Sequence, residues 1–210
     1  MLSNFGPKPF IQNENYRYIR FRKRDLKMII RFAEIKDAAE ILQIYRPFIE
    51  NSAASFETIV PTVEEFGSRI INYTQKYPWL VAEIDNCIAG YAYAGKHRER
   101  EAYQWAVEVS VYVHPHFYRQ GIARILYEKL FELLNEMGVV NVYAVIALPN
   151  AASVALHTSF GFERVCIYKK AGYKNGVWHD VLWLVKYINV HKDNPAPLKS
   201  IDEVKHLLQE

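Results

Sequence analysis

Long apolar runs are missing from this 210-residue chain. No stretch approaches the roughly 20 apolar residues needed to cross a bilayer, and the N-terminus lacks the apolar core of a secretory signal. Cysteine is scarce, with only Cys87 and Cys166. Two residues so far apart give neither a disulfide framework nor metal-ligand spacing, so a reducing cytoplasm is the expected compartment. There is no internal repeat and no low-complexity tract. What remains is an ordinary globular composition, half apolar and 23% charged, in a chain long enough for one substantial core with short extensions.

Acidic residues are also sparse at the start. Residues 1–27 hold Lys8, Arg17, Arg20, Arg22, Lys23, Arg24 and Lys27 against Glu14 and Asp25, a net +5 in a chain whose total is +3. The remainder is therefore slightly acidic. With Tyr16, Tyr18 and Phe21 interleaved, this leader could touch nucleic acid or an anionic surface. The plainer reading is a disordered leader preceding a second start at Met28.

The chain is organised around residues 105–135. Trp105, Val107, Val109, Val111 and Val113 alternate with Ala106, Glu108, Ser110 and Tyr112, the period of a half-buried strand. The alternation breaks at His114-Pro115. Beyond it Ile122, Ile125, Leu126, Leu130, Leu133 and Leu134 recur at helical spacing. Between the two lies Arg119-Gln120-Gly121-Ile122-Ala123, followed by Arg124. Small residues at a helix start, with free N–H groups and the helix dipole behind them, suit a phosphate or pyrophosphate. Plain tight packing explains the same residues.

Around this centre the pattern predicts a first strand at Met28–Phe32, a helix from Asp37, and a second helix from a Thr62/Glu65 capping box to about Gln75. Strands 79–84 and 88–94 form a hairpin through Asp85-Asn86. A buried strand covers 139–148, a helix 151–160, and strands 167–173 and 177–187 close the domain around Lys174-Asn175-Gly176. Asn194-Pro195-Ala196-Pro197 reads as a linker and 200–209 as a tail helix. The order β-α-α-β-β-β-α-β-α-β-β implies an α/β fold, a mixed sheet of six to seven strands flanked by about four helices, with the domain proper at 28–187 and the linker and tail at 188–210.

That order, with the glycine turn after the fourth strand, resembles the GNAT superfamily of acetyl-CoA-dependent N-acetyltransferases. Within it the chain is similar to the phosphinothricin acetyltransferase family, whose members acetylate the α-amino group of glutamate-like and methionine-derived analogues. The shared stretches include Ser55-Phe56-Glu57-Thr58, 77–83 (YPWLVAE), 89–95 (AGYAYAG), Val107-Glu108, Val111-Tyr112-Val113, Leu148-Pro149-Asn150, Ser153-Val154 and Trp178-His179-Asp180-Val181. Together they span residues 28 to about 187.

The resemblance implies roles. Strand four and its parallel neighbour splay, and the pantetheine arm of acetyl-CoA pairs with the backbone of Val109, Val111 and Val113. The pyrophosphate sits on the amides of Arg119, Gln120, Gly121, Ile122 and Ala123, with Arg124 alongside and Asn150 and Ser153 as further contacts. Tyr118 departs from the family, which carries Gln or Arg there. Glu108 corresponds to the general base, against the alternative of a solvated strand glutamate. His157 stands where the family has a histidine and many superfamily members a tyrosine acid; whether it acts as acid, base or structural residue the sequence leaves open. Arg100 and Tyr103 match residues that hold the acceptor's acidic groups, although Lys96 to Arg100 also reads as a charged surface loop. Phe56 and Tyr112 would wall the acceptor pocket, and Lys174 and His179 would close it, in related enzymes from a neighbouring subunit of a homodimer. His179-Asp180 comes with no ligand pair, so no metal is expected. Other acceptors that fit the same fold are another small amine or a protein N-terminus; a non-catalytic acyl-CoA-binding module is the reading from a different class.

Overall fold

A computed structural model describes residues 28–208. The leader read as disordered lies outside them, as do residues 209 and 210. The elements are β1 (Met28–Phe32), α1 (Ala38–Asn51), α2 (Val63–Thr74), β2 (Trp79–Ile84), β3 (Cys87–Lys96), β4 (Ala106–Val113), α3 (Ile122–Met137), β5 (Asn141–Ala147), α4 (Ala151–Ser159), β6 (Glu163–Lys174), β7 (Val177–Tyr187) and α5 (Ile201–Val204). The strands form one mixed seven-stranded sheet in the order β1-β2-β3-β4-β5-β7-β6. The expected element order is present, with α5 as a fifth, one-turn helix.

Local chemistry accounts for the joints. Thr62 and Glu65 form the expected reciprocal cap, with Glu65 N–H to Thr62 Oγ1 at 3.1 Å and Thr62 N–H to Glu65 Oε2 at 2.8 Å. Asp85 and Asn86 adopt φ of +49° and +62°, the left-handed pair that closes a two-residue hairpin. Asp37 stands at the N-cap of α1, but its carboxylate does not cap that helix. It accepts instead from both Arg31 terminal nitrogens at 2.7 and 2.9 Å and from Glu34 N–H.

Strand alternation sorts the two cores. On one face α1 and α2 cover Trp79, Val81, Ile88 and Tyr91. On the other, α3 covers Leu80, Ala92, Val107, Val109, Val142 and Ala144. β4 pairs with β3 from Val107 to Val113, but with β5 only at Ala106↔Asn141, Val107↔Val142 and Glu108↔Tyr143. β5 continues against β7 as far as Ala147↔Val181. The sheet therefore opens after Glu108, leaving one backbone edge of Val109–Val113 without a strand partner.

Some boundaries differ from the sequence pattern. β5 starts at Asn141, because the N–H groups of Val140 and Asn141 first bond to Trp105 O. β6 starts at Glu163, four residues early: it is the sheet edge, Glu163, Arg164 and Val165 are all exposed, and register shifts interrupt its pairing. The tail helix is one turn, continued by a 3-10 turn over Lys205–Leu208. Nor does the stretch read as a linker hang free. Trp105 Nε1 donates to Ala196 O at 2.8 Å, Lys199 N–H to Met137 O at 2.9 Å, and Val204 is fully buried. No helix among the described residues is long and apolar enough to cross a membrane.

Candidate active site

The gap beyond Glu108 is a cleft of about 640 Å³. One wall is Val109–Val113 of β4 and the other Ala144–Ala147 of β5; Asn150 at the cap of α4, Ser153, Leu156 and His157 within it, and the start of α3 close it. The α3 entrance is bent by two left-handed residues, Arg119 at φ +60° and Gly121 at φ +84°. Gly121 supplies the conformation that a side chain resists. Ile125 N–H is the first to bond back, to Gly121 O, so the amides of Ile122, Ala123 and Arg124 point out of the helix start with no intrahelical acceptor. Tyr118, Arg119, Ile122, Ala123 and Arg124 all line the cleft. Gln120 is exposed beside it, its side chain donating to His116 O. Arg124 is held at the rim by Ser159 Oγ at 3.1 Å and by the Phe160 ring, 5.1 Å from its guanidinium. Asn150 caps α4, its Oδ1 accepting from Ser153 N–H at 3.1 Å.

Strand edge, helix start and volume together suit acetyl-CoA. An unpaired β-edge offers alternating N–H and C=O groups to the amides of a pantetheine arm, and a helix start with spare N–H groups accepts a pyrophosphate.

On the opposite face of the sheet, Glu108 stands at the last β4–β5 pair, where the strands part. Its Oε1 is 2.9 Å from His97 Nδ1 and 3.3 Å from Arg98 Nη1. The His97 ring lies flat on Tyr143, centroids 4.2 Å apart, and edge-on to Tyr103. Tyr103 thus reaches the carboxylate's surroundings through His97. Arg100, half of the expected acid-reading pair, is exposed; its carbonyl accepts from Tyr103 N–H at 3.0 Å, and its side chain makes no hydrogen bond or ion pair among the described residues. Tyr112 packs between Tyr45, Phe48 and Tyr91 with centroids 5.0 to 5.2 Å away, and burial pushes its hydroxyl well above the usual tyrosine range.

The loop after α1 reaches across to β6. Ser55 Oγ lies 2.7 Å from Tyr45 Oη, and Glu57 receives a two-pronged contact from Arg69 at 2.7 and 3.1 Å. Burial leads in pushing the Tyr45 hydroxyl up to about 12. This network fixes Phe56 over Gly172, where an added Cβ would come within 2.2 Å of the ring. Lys174 is buried and donates to Ser55 O at 2.6 Å, a strut between loop and sheet; burial lowers its ammonium pKa. His179 lies 6.2 Å from the Phe56 ring, with its nitrogens near Leu148 O and Lys174 O.

His157 is buried, and both its nitrogens are engaged. Nδ1 is 2.8 Å from Ser153 O, so it carries the proton, and Nε2 accepts from Tyr127 Oη at 3.0 Å. Burial lowers its pKa from 6.5, the Ser153 carbonyl opposing. The unfolded chain therefore binds this proton more readily. The stabilisation is whole above about pH 6.5 and is lost as pH falls through the folded value. Urea midpoints are expected to drop between pH 7.5 and 5.5, and to drop less in His157→Gln, which does not titrate. Equal drops would assign the effect elsewhere; His114, also lowered by burial, has the same sign in both proteins.

His97, Arg98, Tyr143 and Tyr127 were not singled out by sequence. A helix-stripe tyrosine such as Tyr127 looks like core. The return of a β-hairpin does place 97–98 beside 105–108, and that signal was legible.

The family described as "Acetyltransferase (GNAT) domain" matches residues 30–183. A phosphinothricin N-acetyltransferase of Streptomyces viridochromogenes is 41% identical over 179 residues, 85% of this chain and 95% of its own. An L-methionine sulfoximine/L-methionine sulfone acetyltransferase of Salmonella typhimurium is 33% identical over 78% of this chain and 96% of its own. Among solved structures, a GNAT superfamily phosphinothricin acetyltransferase from Sinorhizobium meliloti in complex with AcCoA aligns with a TM-score of 0.75 at 30% identity, over 81% of this chain and 96% of that one. With the cleft that fits its donor, these matches make the protein an acyltransferase that uses acetyl-CoA: the chain belongs to the GNAT acetyltransferase family.

Proposed function

We propose that this enzyme transfers the acetyl group of acetyl-CoA directly to the α-amino group of a small amino-acid-like acceptor, of the phosphinothricin, methionine sulfoximine or methionine sulfone type named for its relatives. The observation that carries the reading is the place of Glu108, a carboxylate at the point where the sheet opens. The thioester enters along the β4 edge from the α3 side, and the acceptor approaches from the α1 side. An α-ammonium has a pKa of roughly 8 or above, and it attacks only after losing a proton. Glu108 takes that proton, directly or through a water. The amine then adds to the thioester carbonyl; as the tetrahedral intermediate collapses the C–S bond breaks, and the extra proton on nitrogen passes, directly or through water, to the departing sulfur, which leaves the neutral amide and the CoA thiol. The described residues lining the cleft include no cysteine, which favours direct transfer over an acyl-enzyme.

Val109, Val111 and Val113 hold the pantetheine arm through backbone, Ile122 to Arg124 the pyrophosphate, and Asn150 and Ser153 the far wall. His157 orients Tyr127 on the thiolate side of the cleft. Phe56 and Tyr112 bound the acceptor, with Lys174 and His179 fixing the loop above it. The family resemblance adds a homodimer in a reducing cytoplasm.

The test is thiol release from acetyl-CoA with phosphinothricin, methionine sulfoximine, methionine sulfone, plain amino acids and a short peptide. Turnover of the first three supports the reading. Turnover of the peptide alone moves the acceptor to protein N-termini, and an inert panel with intact acetyl-CoA binding removes the acceptor assignment.

A further inference from the structure

We propose that His97 is a positioning residue for the reaction: its Nδ1–H holds one carboxylate oxygen of Glu108, so that the other is the one that takes the proton of the acceptor's ammonium. This rests on the general-base reading of Glu108 proposed above and deepens it.

Glu108 Oε1 lies 2.9 Å from His97 Nδ1. An ionised carboxylate has lone pairs and no proton to give, so the imidazole is the donor and carries its proton on Nδ1. Oε1 also lies 3.3 Å from Arg98 Nη1, a longer contact made by a side chain that is 47% exposed. The His97 side chain is only 10% exposed, so water competes far less for its bond. Nothing among the described residues bonds Oε2. Oε2 is therefore the oxygen left for the acceptor: the proton moves from the ammonium nitrogen to Oε2, while Nδ1 keeps its own.

The imidazole is itself held by its neighbours. Its face lies on Tyr143, with centroids 4.2 Å apart and planes 15° apart, and Tyr103 and Trp183 meet it edge-on at 5.9 and 6.0 Å. Tyr143 is the partner of Glu108 in the last β4–β5 pair. His97 thus rests on β5 and bonds β4 at the point where the two strands part. A glutamate has several rotatable side-chain bonds, and at this point it loses the strand beside it. A donor fixed on that neighbouring strand restores the orientation that proton transfer needs.

The experiment measures kcat, acceptor KM and acetyl-CoA Kd for wild type, His97→Phe, His97→Asn, Glu108→Gln and the double variant with His97→Phe and Glu108→Gln, on the acceptor that turns over fastest in the panel above. Phenylalanine keeps a flat ring for Tyr143 but has no donor; asparagine loses the ring but carries an N–H donor bonded to Cγ, as Nδ1 is. His97→Phe is expected to lower kcat about 10-fold, with KM and Kd within about 2-fold of wild type. His97→Asn should recover most of that loss. In the Glu108→Gln background the phenylalanine should change kcat by less than about 2-fold, because the base that His97 positions is already gone. Undiminished kcat in His97→Phe, an asparagine variant as slow as the phenylalanine one, or the same loss in both backgrounds overturns the assignment and leaves His97 as packing. A loss carried by acceptor KM overturns it too, and makes the ring a wall of the acceptor pocket. If Glu108→Gln turns over like wild type, the base reading itself fails, whatever His97→Phe does. A wild type inert on the whole panel fails one step earlier and takes both readings with it.

Discussion

Glu108→Gln is expected to lose about 10²- to 10⁴-fold in kcat/KM, the usual worth of a general base, with acetyl-CoA binding unchanged. The substitution is close to isosteric, and its amide oxygen can still accept from His97, 2.9 Å away from the present carboxylate. The acceptor-side geometry therefore survives while the basic oxygen is gone. The loss should also shrink as pH rises toward the acceptor's own amine pKa, because a larger share of the amine then arrives without its proton. That pH signature separates a missing base from a disturbed site, in which the deficit would be flat. Undiminished turnover in the variant, or a deficit independent of pH, removes Glu108 from proton transfer. A fall in acetyl-CoA affinity would instead point to collapse of the β4–β5 opening, since the cleft starts one residue beyond Glu108.

Much of this site was legible because it is built on period changes. The two-residue alternation of β4 places Glu108, Ser110 and Tyr112 on one face, and the switch to helical spacing after His114-Pro115 locates the start of α3. What the alternation does not contain is the extent of pairing. That β4 releases β5 after three residue pairs is a tertiary outcome, and it is what makes a cleft of an ordinary strand. His97 and Arg98 sit 11 and 10 residues from Glu108 in a run that reads as solvated charge. Only the hairpin return, with Lys96 opposite Val107, folds them onto the carboxylate. Lys174 shows the converse. The resemblance has Lys174 close the acceptor pocket, but nothing in the turn Lys174-Asn175-Gly176 shows that it is buried, a strut to Ser55 O. The first residues of β6 carry no such signal, because an edge strand exposed on both faces, as Glu163, Arg164 and Val165 are, has no hydrophobic period to find.

The tail was the least legible part of the described chain, and it gives the largest expected effect on stability. Residues 188–208 lie beyond the family match, which ends at 183, yet they close the end of the domain opposite the cleft. Asn189 Nδ2 bonds Asn135 O and Val139 O, Lys199 pairs with Glu136, and the Ser200/Glu203 capping box starts the turn that buries Val204. Val204 joins the core cluster that α3 shares with the sheet, and Leu198, Leu207 and Leu208 of the same tail pack against that cluster. An aspartate there has no buried partner to accept from. Val204→Asp is expected to cost about 4 kcal/mol, in the range for an unpaired buried charge. At about 2–4 °C per kcal/mol for a chain of this size, that lowers Tm by about 10 °C. Val204→Ala, which removes only packing, should cost about 2 kcal/mol. The strap can escape the charge by undocking, so the loss is capped by the stability of its own contacts, and a truncation before Pro195 should lower Tm by a similar amount. Because the strap touches Trp105, Met137 and neighbours of Asn141 rather than the cleft, KM values measured well below the melting range should stay at wild-type levels. If Val204→Asp leaves Tm unmoved while amide exchange rises only in residues 196–208, the strap is an independent flap and the core of the domain ends at β7.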